Sequence, residues 1–312
     1  MRSFTSRYAQ GGSIPSWFPG HMAAAQSKLA ALVSSADIVL EVRDARIPFT
    51  SAHPGLSALC GGRSRVVVFN KCDLSSAHLQ PRVAAAAAAQ GLPCVFTTSS
   101  ASAAGRAPSV APLLALVDSL PSRSSRFKAA GALLAVVGLP NTGKSSLVNA
   151  LRATAGYRGG GRGAPVAPTP GFTRGVSTVR IRASPLLYLA DTPGVMMPRL
   201  QDVETGLKLA VTHALRAAAL PYLVQAEYLL YALATTGATA AMVQCWGLSR
   251  AYGEEQVEEC MAEVAAKVGG LRVGGQVDLE AAAMHFVRAF QAGKMGRHTL
   301  DFVPEVGGGQ VK

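Results

Sequence analysis

A phosphate-binding loop, GLPNTGKSS at residues 138–146, constrains the fold of this chain more than any other feature. It fits the pattern G-x-x-x-x-G-K-[ST] and lies between the apolar run ALLAVVG and the helical pattern SSLVNALRA. A strand, this loop and a helix in that order direct backbone N–H groups and a helix N-terminus at phosphate oxygens. Lys144 is then expected to reach the β- and γ-phosphates, and Ser145 to ligate Mg²⁺. Further nucleotide contacts are expected from Asn141, Thr142, Gly143 and Ser146.

Strand-like runs alternate with helical patterns around this loop. Such alternation predicts a parallel α/β sheet. Two runs after the loop, 176–181 and 186–190, flank a tight turn, which indicates an antiparallel hairpin at the edge of the sheet. The other predicted strands are 36–44, 65–70, 94–99 and 132–138, and the predicted helices are 23–34, 79–90 and 110–119.

Two segments after the phosphate loop complete the phosphate end of the predicted site. The run LLYLADTPG ends a strand at Asp191, which is placed to hold Mg²⁺ directly or through water, and Gly194 can turn its N–H toward the γ-phosphate. The Gly/Pro-rich loop before it contains Thr173, which can close onto Mg²⁺ and the γ-phosphate and release after hydrolysis. Thr169 in the same loop is the alternative for this role.

The tetrapeptide NKCD at 70–73 ends an earlier strand and has the chemistry to select guanine. Asn70 can hold the base loop, the aliphatic part of Lys71 can lie on the purine face, and the Asp73 carboxylate can accept from N1 and N2 of guanine. Adenine does not offer that pair of donors, so the unpaired carboxylate disfavours it. The next strand ends in TTSSA, and contacts with the guanine carbonyl are expected from Ser99, Ser100 and Ala101.

These segments follow one another as base loops, phosphate loop, switch threonine and DTPG, which is a circular permutation of a GTPase domain. Permutation is tolerable because the ends of compact domains often lie close together at the surface. The predicted organisation is an N-terminal extension (1–16), a circularly permuted G domain (17–199) and a small all-α domain (200–312). Helices of the last domain are predicted at 203–219, 222–234, 254–268 and 278–292.

Charge is unevenly distributed along the chain, whose formal net charge is +12. Residues 1–199 contain 21 Lys and Arg against 6 Asp and Glu, whereas residues 200–312 contain 9 against 12. A basic field of this kind attracts polyanions such as RNA, although a solvated basic surface explains it equally well. The five cysteines are scattered and form no C-x-x-C, which indicates free thiols and predicts no structural zinc.

The N-terminus, MRSFTSRYAQGGS, has two arginines, several hydroxyl residues and no acid. This composition is typical of a short organellar presequence, and an ordinary unstructured start is the alternative. The apolar stretch 228–249 carries no charged residue but contains three threonines, two glycines and a glutamine. It therefore predicts a buried helix followed by a loop rather than a membrane span.

The chain resembles the YlqF/RbgA family of circularly permuted GTPases, especially its mitochondrial ribosome-associated branch, over nearly its whole length. The resemblance implies a Ras-like P-loop GTPase domain followed by a helical domain, GTP or GDP and Mg²⁺ as ligands, and a role in large-ribosomal-subunit assembly. The segments that carry it, in family order, are WFPGHM (17–22), DARIPFTSAHP (44–54), NKCD, GLPNTGKSS, PGFT, DTPG, GGQVDLEAA (274–282) and FQAGKMGRHTLD (290–301).

Two residue roles come from this resemblance. Val195 follows DTPG where many GTPases keep a water-orienting Gln, and the family assigns catalysis to a His of its WFPGHM-like motif, which is His21 here. Packing of a turn is the alternative role for His21. Asn141 matches a phosphate-loop Asn that helps to hold K⁺ in potassium-stimulated relatives.

The resemblance also implies partners, namely the rRNA and proteins of the mitochondrial large ribosomal subunit. We expect a monomeric protein of the mitochondrial matrix, associated with the inner membrane only through the ribosome, with the chloroplast as the alternative compartment. In the tail, Lys294, Arg297 and His298 are candidates for contacts with RNA phosphates, and a solvated helix end is the equally good alternative.

Three functions remain open from the sequence. The first is a GTPase that docks on the maturing large subunit and hydrolyses GTP when the rRNA reaches a suitable shape. The second is a GTP-gated module that binds RNA or protein with negligible hydrolysis, which Val195 favours. The third, an ATP-dependent P-loop enzyme, requires NKCD to be accidental.

Overall fold

The computed structural model describes residue 4 and residues 21–98, 109–120, 131–154, 178–183, 186–190, 202–215, 220–269 and 277–305, with the side chains of 21–26, 28 and 178 outside the description. Its strands, in chain order, are β1 (Ile38–Asp44), β2 (Ser64–Asn70), β3 (Cys94–Thr97), β4 (Ala132–Val137), β5 (Thr178–Ala183) and β6 (Leu186–Ala190).

These strands form one sheet in the order β3-β2-β1-β4-β6-β5. Every neighbouring pair is parallel except β5 and β6, which are antiparallel. The predicted parallel sheet with an antiparallel edge hairpin is thus confirmed. The sequence also predicts a linker at 121–131, and this segment and the long Gly/Pro-rich loop fall largely outside the described residues.

Helices cover both faces of the sheet, because its central strands are apolar on both sides. One face packs β1, β2 and β4 against α4 (Ala111–Ser119) and α5 (Lys144–Thr154). The other face packs against α1 (His21–Ser35) and α2 (Leu56–Cys60), and further along against α3 (Gln80–Ala89). Phosphate-loop and guanine-loop segments therefore emerge from a rigid three-layer unit.

The second part of the chain is helical and has its own apolar core. Phe4, the one described residue of the N-terminal extension, packs on this core with its ring centroid 5.3 Å from that of Tyr228 and 5.2 Å from that of Tyr231. Among the described residues no helix is both long and apolar enough to cross a bilayer. Its helices are α6 (Val203–Val211), α7 (Tyr222–Thr235), α8 (Thr239–Trp246), α9 (Val257–Val268) and α10 (Leu279–Gln291).

Two details of this helical part differ from the sequence prediction. The helix predicted to run from 203 to 219 ends at Val211, where Thr212 caps it and His213 turns into the left-handed region (φ 67°). The stretch predicted as a helix followed by a loop contains a second helix, α8, because Gly237 (φ 66°) reverses the chain and a helical segment resumes after it.

The described residues separate into two compact units. We call the first, built on the sheet, the sheet unit, and the second the helical unit. Residues 301–305, which the sequence prediction assigned to the helical domain, belong to the sheet unit. The reason is specific: Asp301 Oδ2 accepts the N–H groups of Phe49 and Thr50, both at 2.8 Å, and Arg82 donates to the Val303 carbonyl at 2.6 Å.

Candidate nucleotide site

The carboxyl edge of the sheet gathers the polar ends of three neighbouring strands. In the register of the sheet, Asp44 of β1 lies beside Asn70 of β2, and Asn70 lies beside Thr97 of β3. All three are buried, and the phosphate loop follows β4 on the other side of β1. Ligands of open α/β sheets bind at this carboxyl edge, so the register itself places the candidate site.

The phosphate loop has a backbone that its sequence requires. Gly138 has φ 148°, and a Cβ added there would lie 2.3 Å from the carbonyl oxygen of Val42, so a larger residue does not fit. Asn141 and Gly143 also have positive φ, 55° and 93°. Thr142 is fully buried, and its hydroxyl donates to the Leu139 carbonyl at 2.9 Å. The loop is thereby curled so that α5 begins at Lys144.

Asn70 connects the guanine motif to the phosphate loop directly. Its amide Nδ2 donates to the Thr142 carbonyl at 2.9 Å, and its Oδ1 accepts from the Thr97 hydroxyl at 3.2 Å. The bond to Thr142 joins residues 72 positions apart in the chain. The sequence predicted that Asn70 holds the base loop, and the structure shows it holding that loop against the phosphate loop.

Lys71 makes a second connection between the two loops. It adopts a left-handed backbone (φ 59°), and its ammonium group donates to the Asn141 carbonyl at 2.6 Å and to Asp44 Oδ2 at 2.9 Å. Burial lowers the pKa of Lys71, and the charge of Asp44 opposes that shift. Lys71 therefore joins the base loop to the phosphate loop, and its predicted place on the purine face stays a prediction.

Asp44 is the site residue to which the sequence reasoning gave no role. It is fully buried, and Arg46 donates to both of its oxygens, with Nε at 3.0 Å from Oδ1 and Nη2 at 2.8 Å from Oδ2. Burial raises the pKa of Asp44, but the charges of Arg46 and Lys71 outweigh it and hold the pKa well below its usual range. Asp44 is therefore an ionised anchor for Lys71.

Lys144 carries a buried positive charge at the head of α5. Its ammonium group donates to the Leu139 carbonyl at 2.5 Å. Burial, followed by the nearby charge of Lys71, lowers the pKa of Lys144 to about 8. Two cations thus lie near each other, and Asp44 is already bound to Lys71 and Arg46, while the charge of Asp73 also acts on Lys71. Such an arrangement favours an anionic ligand.

Asp73 lies at the same edge, in a 3-10 turn that spans Cys72–Leu74. Its Oδ1 accepts from the Thr98 hydroxyl at 3.3 Å, and the same hydroxyl lies 3.3 Å from the Cys72 sulfur. Thr98 follows β3, so the segment that precedes the second predicted base loop also positions the guanine-selecting carboxylate.

Several predicted site residues fall outside this description. His21 is the first residue of α1, and only its backbone is described. Ser145 and Ser146 are described in the first turn of α5, with Ser145 exposed. Among the described residues no group of three or more His, Cys, Asp and Glu is placed to hold a metal ion. The predicted residues outside the described ranges are Ser99, Ser100, Ala101, Thr169, Thr173, Asp191, Gly194 and Val195.

One histidine of the sequence analysis is corrected by the structure. His298 was a candidate for RNA contact, but it is buried, its Nε2 lies 2.6 Å from the Met295 carbonyl, and its ring stacks on Phe290 at 6.0 Å. Burial lowers the pKa of His298. It is therefore a packing residue of the helical unit, whereas Lys294 and Arg297 are exposed.

Comparison with known proteins identifies the family of this chain. A family model described as 50S ribosome-binding GTPase matches residues 133–245. The match begins within β4, so NKCD lies upstream of it, as a permuted domain requires. Mitochondrial ribosome-associated GTPase 1 of Mus musculus is 35% identical over 304 residues, which cover 94% of this chain and 91% of that protein. Mitochondrial GTPase 1 of Schizosaccharomyces japonicus is 32% identical over 308 residues, covering 94% and 92%.

Solved structures of YlqF share the fold. A GDP-bound structure has a TM-score of 0.61 at 20% identity and covers 88% of this chain and 98% of its own. A GNP-bound structure from T. maritima has a TM-score of 0.61 at 21% identity and covers 89% and 97%. The predicted P-loop GTPase fold and its circular permutation are therefore confirmed.

Proposed function

Because the chain belongs to the mitochondrial ribosome-associated branch of the YlqF/RbgA family of circularly permuted GTPases, we propose that it assembles the large subunit of the mitochondrial ribosome. The chain is a mitochondrial GTPase that converts GTP to GDP and phosphate. We propose that it acts as a monomer, that it contacts rRNA and ribosomal proteins, and that its affinity for the particle depends on the bound nucleotide.

The observation that carries the nucleotide part of this proposal is the pair of bonds between NKCD and the phosphate loop. Asn70 and Lys71 bind the carbonyls of Thr142 and Asn141, so the base end and the phosphate end form one continuous pocket edge. A base recognised by NKCD then has its phosphates at the head of α5. An ATP-dependent enzyme would require NKCD to be an accidental match. An accidental match would not be expected to form hydrogen bonds with the phosphate loop.

The proposed roles follow the geometry from the base to the phosphates. Asp73, oriented by the Thr98 hydroxyl, accepts from the guanine N1 and N2 donors, while Lys71 lies on the purine face. Lys144 exchanges its Leu139 carbonyl for phosphate oxygens, which its buried charge favours. We propose further contacts from Ser99, Ser100, Ala101, Asn141, Thr142, Gly143, Ser146 and Gly194.

The donor set fits Mg²⁺ held mainly by phosphates. Ser145 is exposed in the first turn of α5 and offers a hydroxyl oxygen, and we propose Asp191 and Thr173 as its co-ligands. One or two protein groups plus phosphate oxygens are how Mg²⁺ is usually bound in such sites. When bound, the ion neutralises the negative charge that develops on the β- and γ-phosphates. We propose that Asn141, exposed in the phosphate loop, contributes to a K⁺ site.

Hydrolysis also needs a group that orients water, and Val195 cannot supply it. We propose that His21, the first residue of α1, orients the water when the N-terminal segment closes over the nucleotide. We propose that this closure takes place on the ribosomal particle, so that turnover depends on the particle.

The test is GTP turnover by the full-length protein alone, with mitochondrial large subunits and with small subunits, in K⁺ and in Na⁺ buffer. We expect large subunits alone to raise turnover by at least about tenfold, which corresponds to about 1.4 kcal/mol of barrier. His21→Ala should remove this stimulation, whereas His78→Ala, at an exposed site of the same unit, should keep it. Equal turnover alone, with large subunits and with small subunits would contradict the proposal, and turnover in Na⁺ equal to that in K⁺ would contradict the K⁺ site.

A further inference from the structure

A cavity of ≈ 380 Å³ lies in the helical unit between the C-terminal ends of α8 and α10. Its lining includes the half-buried Cys245 and Trp246 from the last turn of α8, which we call the floor. We call the exposed lining residues His285, Arg288 and Lys294 the rim, and Ala289 and Ala292 complete the lining. This volume falls in the range of sites that bind small organic groups.

Packing keeps this cavity open. Trp246 stacks on the buried Phe286, with ring centroids 6.3 Å apart and ring planes at 23°, so one face of the indole is held by the core. Gly293 (φ 74°) ends α10, and the Lys294 N–H then donates to the Ala289 carbonyl at 3.0 Å. This turn brings Lys294 back beside the helix end instead of leading it away from the cavity.

The rim is positively charged in a part of the chain that is otherwise acidic. Residues 200–312 contain 9 Lys and Arg against 12 Asp and Glu, yet no carboxylate among the described residues lines the cavity. Glu280, the acid on α10, is engaged at the other end of that helix, where it accepts the N–H groups of Tyr222 and Leu223. Neither Arg288 nor Lys294 forms an ion pair with any residue that the structure describes.

The floor and the rim are close enough to act on one ligand. Burial raises the pKa of the Cys245 thiol, and the charge of Lys294 opposes that shift. The Lys294 ammonium group is therefore close enough to interact with the Cys245 thiol. Arg288 on α10 and Ala292, the C-cap of that helix, are one turn apart and belong to the same face. A ligand seated on Trp246 therefore has both cations within reach.

An aromatic floor beneath a cationic rim is the chemistry that binds an unpaired nucleotide. Bases of single-stranded RNA stack on aromatic side chains, and the flanking phosphates pair with Arg and Lys. The carboxylates of an acidic peptide would pair with Arg288 and Lys294, but they would not stack on the indole ring of Trp246. We propose that this cavity binds one unstacked nucleotide of single-stranded RNA, with the base on Trp246 and its phosphates on Arg288 and Lys294.

This inference rests on the proposed function only in taking the ribosomal particle as the source of the RNA. Its test therefore uses a short fluorescently labelled single-stranded RNA and the full-length protein, with fluorescence anisotropy at several salt concentrations. The variants are Arg288→Ala with Lys294→Ala, Trp246→Leu and Trp246→Phe. The control is Arg250→Ala, which removes an exposed arginine of the same unit that is paired with Glu259.

We expect the double alanine variant to bind the RNA about tenfold more weakly and to lose part of the salt dependence, because two phosphate contacts disappear. Trp246→Leu should weaken binding at least about fivefold with an unchanged salt dependence, and Trp246→Phe, which keeps an aromatic face, should lose less. Arg250→Ala should bind as the wild type does. Circular dichroism and unstimulated GTP turnover of each variant establish that it is folded.

If Trp246→Leu binds the RNA with wild-type affinity, the inference is overturned, because no base then stacks on residue 246. Arg288 and Lys294 would then be only solvated charges at a helix end. Loss of polyglutamate binding in the double variant without loss of RNA binding would overturn it in favour of an acidic protein partner. The proposed function can fail separately from this inference. If large subunits do not stimulate GTP turnover of the wild type, but the variants still bind RNA more weakly, then the assembly role is contradicted and the nucleotide-binding cavity is supported.

Discussion

The carboxyl edge of the sheet and the helical unit differ in where their candidate functional charges lie. At the sheet edge Asp44, Arg46 and Asn70 are almost fully buried and bound to one another or to the phosphate loop. The helical unit also buries polar groups, Gln225 and Glu227, but its charged groups with a candidate role, Arg288 and Lys294, are exposed at a cavity. Buried ion pairs add little net stability but strongly penalise the loss of one member. Substitutions at the sheet edge should therefore disturb folding and nucleotide binding together, whereas substitutions in the helical unit should separate the two.

The largest effect is expected from Asp44→Asn. It leaves Arg46 and Lys71 buried without their counter-charge, and breaking such a pair destabilises a protein by about 3–5 kcal/mol. Urea unfolding measures this loss. The control is Asp118→Asn, whose carboxylate pairs with Arg182 at the surface, where about 1 kcal/mol or less is expected. Equal losses in the two variants would remove the distinction between buried and exposed pairs.

A smaller effect is expected from Gly138→Ala. The added Cβ meets the Val42 carbonyl at 2.3 Å, so the phosphate loop must shift, and strain of this kind costs about 1–3 kcal/mol. Gly91→Ala is the matched control, since Gly91 also has positive φ (67°) but nothing lies within 4 Å of its added Cβ. GTP affinity should fall in Gly138→Ala and remain that of the wild type in Gly91→Ala. Unchanged GTP affinity in Gly138→Ala would show that the loop tolerates the shift.

The affinity for GTP should depend on pH through Lys144. Its pKa in the free protein is about 8, and an anionic phosphate raises the pKa of a bound ammonium group. The charged form therefore favours binding below about pH 8, and affinity falls as the pH rises above that value, by up to about tenfold per unit. Titrations with a fluorescent GTP analogue measure this. The arginine of Lys144→Arg stays charged, so the GTP affinity of this variant should depend little on pH. If its affinity falls with pH as steeply as that of the wild type, the pH dependence belongs to another group.

The smallest effect is expected from Glu280→Gln in the helical unit. Glu280 accepts the first two N–H groups of α7, at 2.6 and 3.0 Å, and capping interactions of this kind contribute about 0.5–2 kcal/mol. Thermal unfolding should show the loss, while GTP affinity stays that of the wild type. A change in GTP affinity here would mean that the two regions are coupled.

Much of the fold and the phosphate loop is predictable because the signals are local. The loop at 138–146 carries its own strand and helix, and NKCD ends a Val-rich strand, so the permuted order can be deduced from the chain alone. Asp44 was missed because its role depends on the register of β1 against β2, a long-range property. Its position at the end of a strand next to Asn70 is the signal that could have found it. Helix α8 was missed because the turn at Gly237 resembles the start of a loop.

NKCD and a phosphate loop that follows it in the chain form one guanine-nucleotide site, and the nucleotide selectivity of an Asp73→Asn variant is the sharpest test of this arrangement. The asparagine can still accept from N1–H of the base, but its amide donates where guanine also donates, and xanthine offers an acceptor there. We predict that this variant binds GTP about a hundredfold more weakly and XTP more tightly than the wild type does, with Asp118→Asn unchanged. Equal loss of GTP, XTP and ATP binding, or no loss at all, would contradict the account, because Asp73 would then not contact the base.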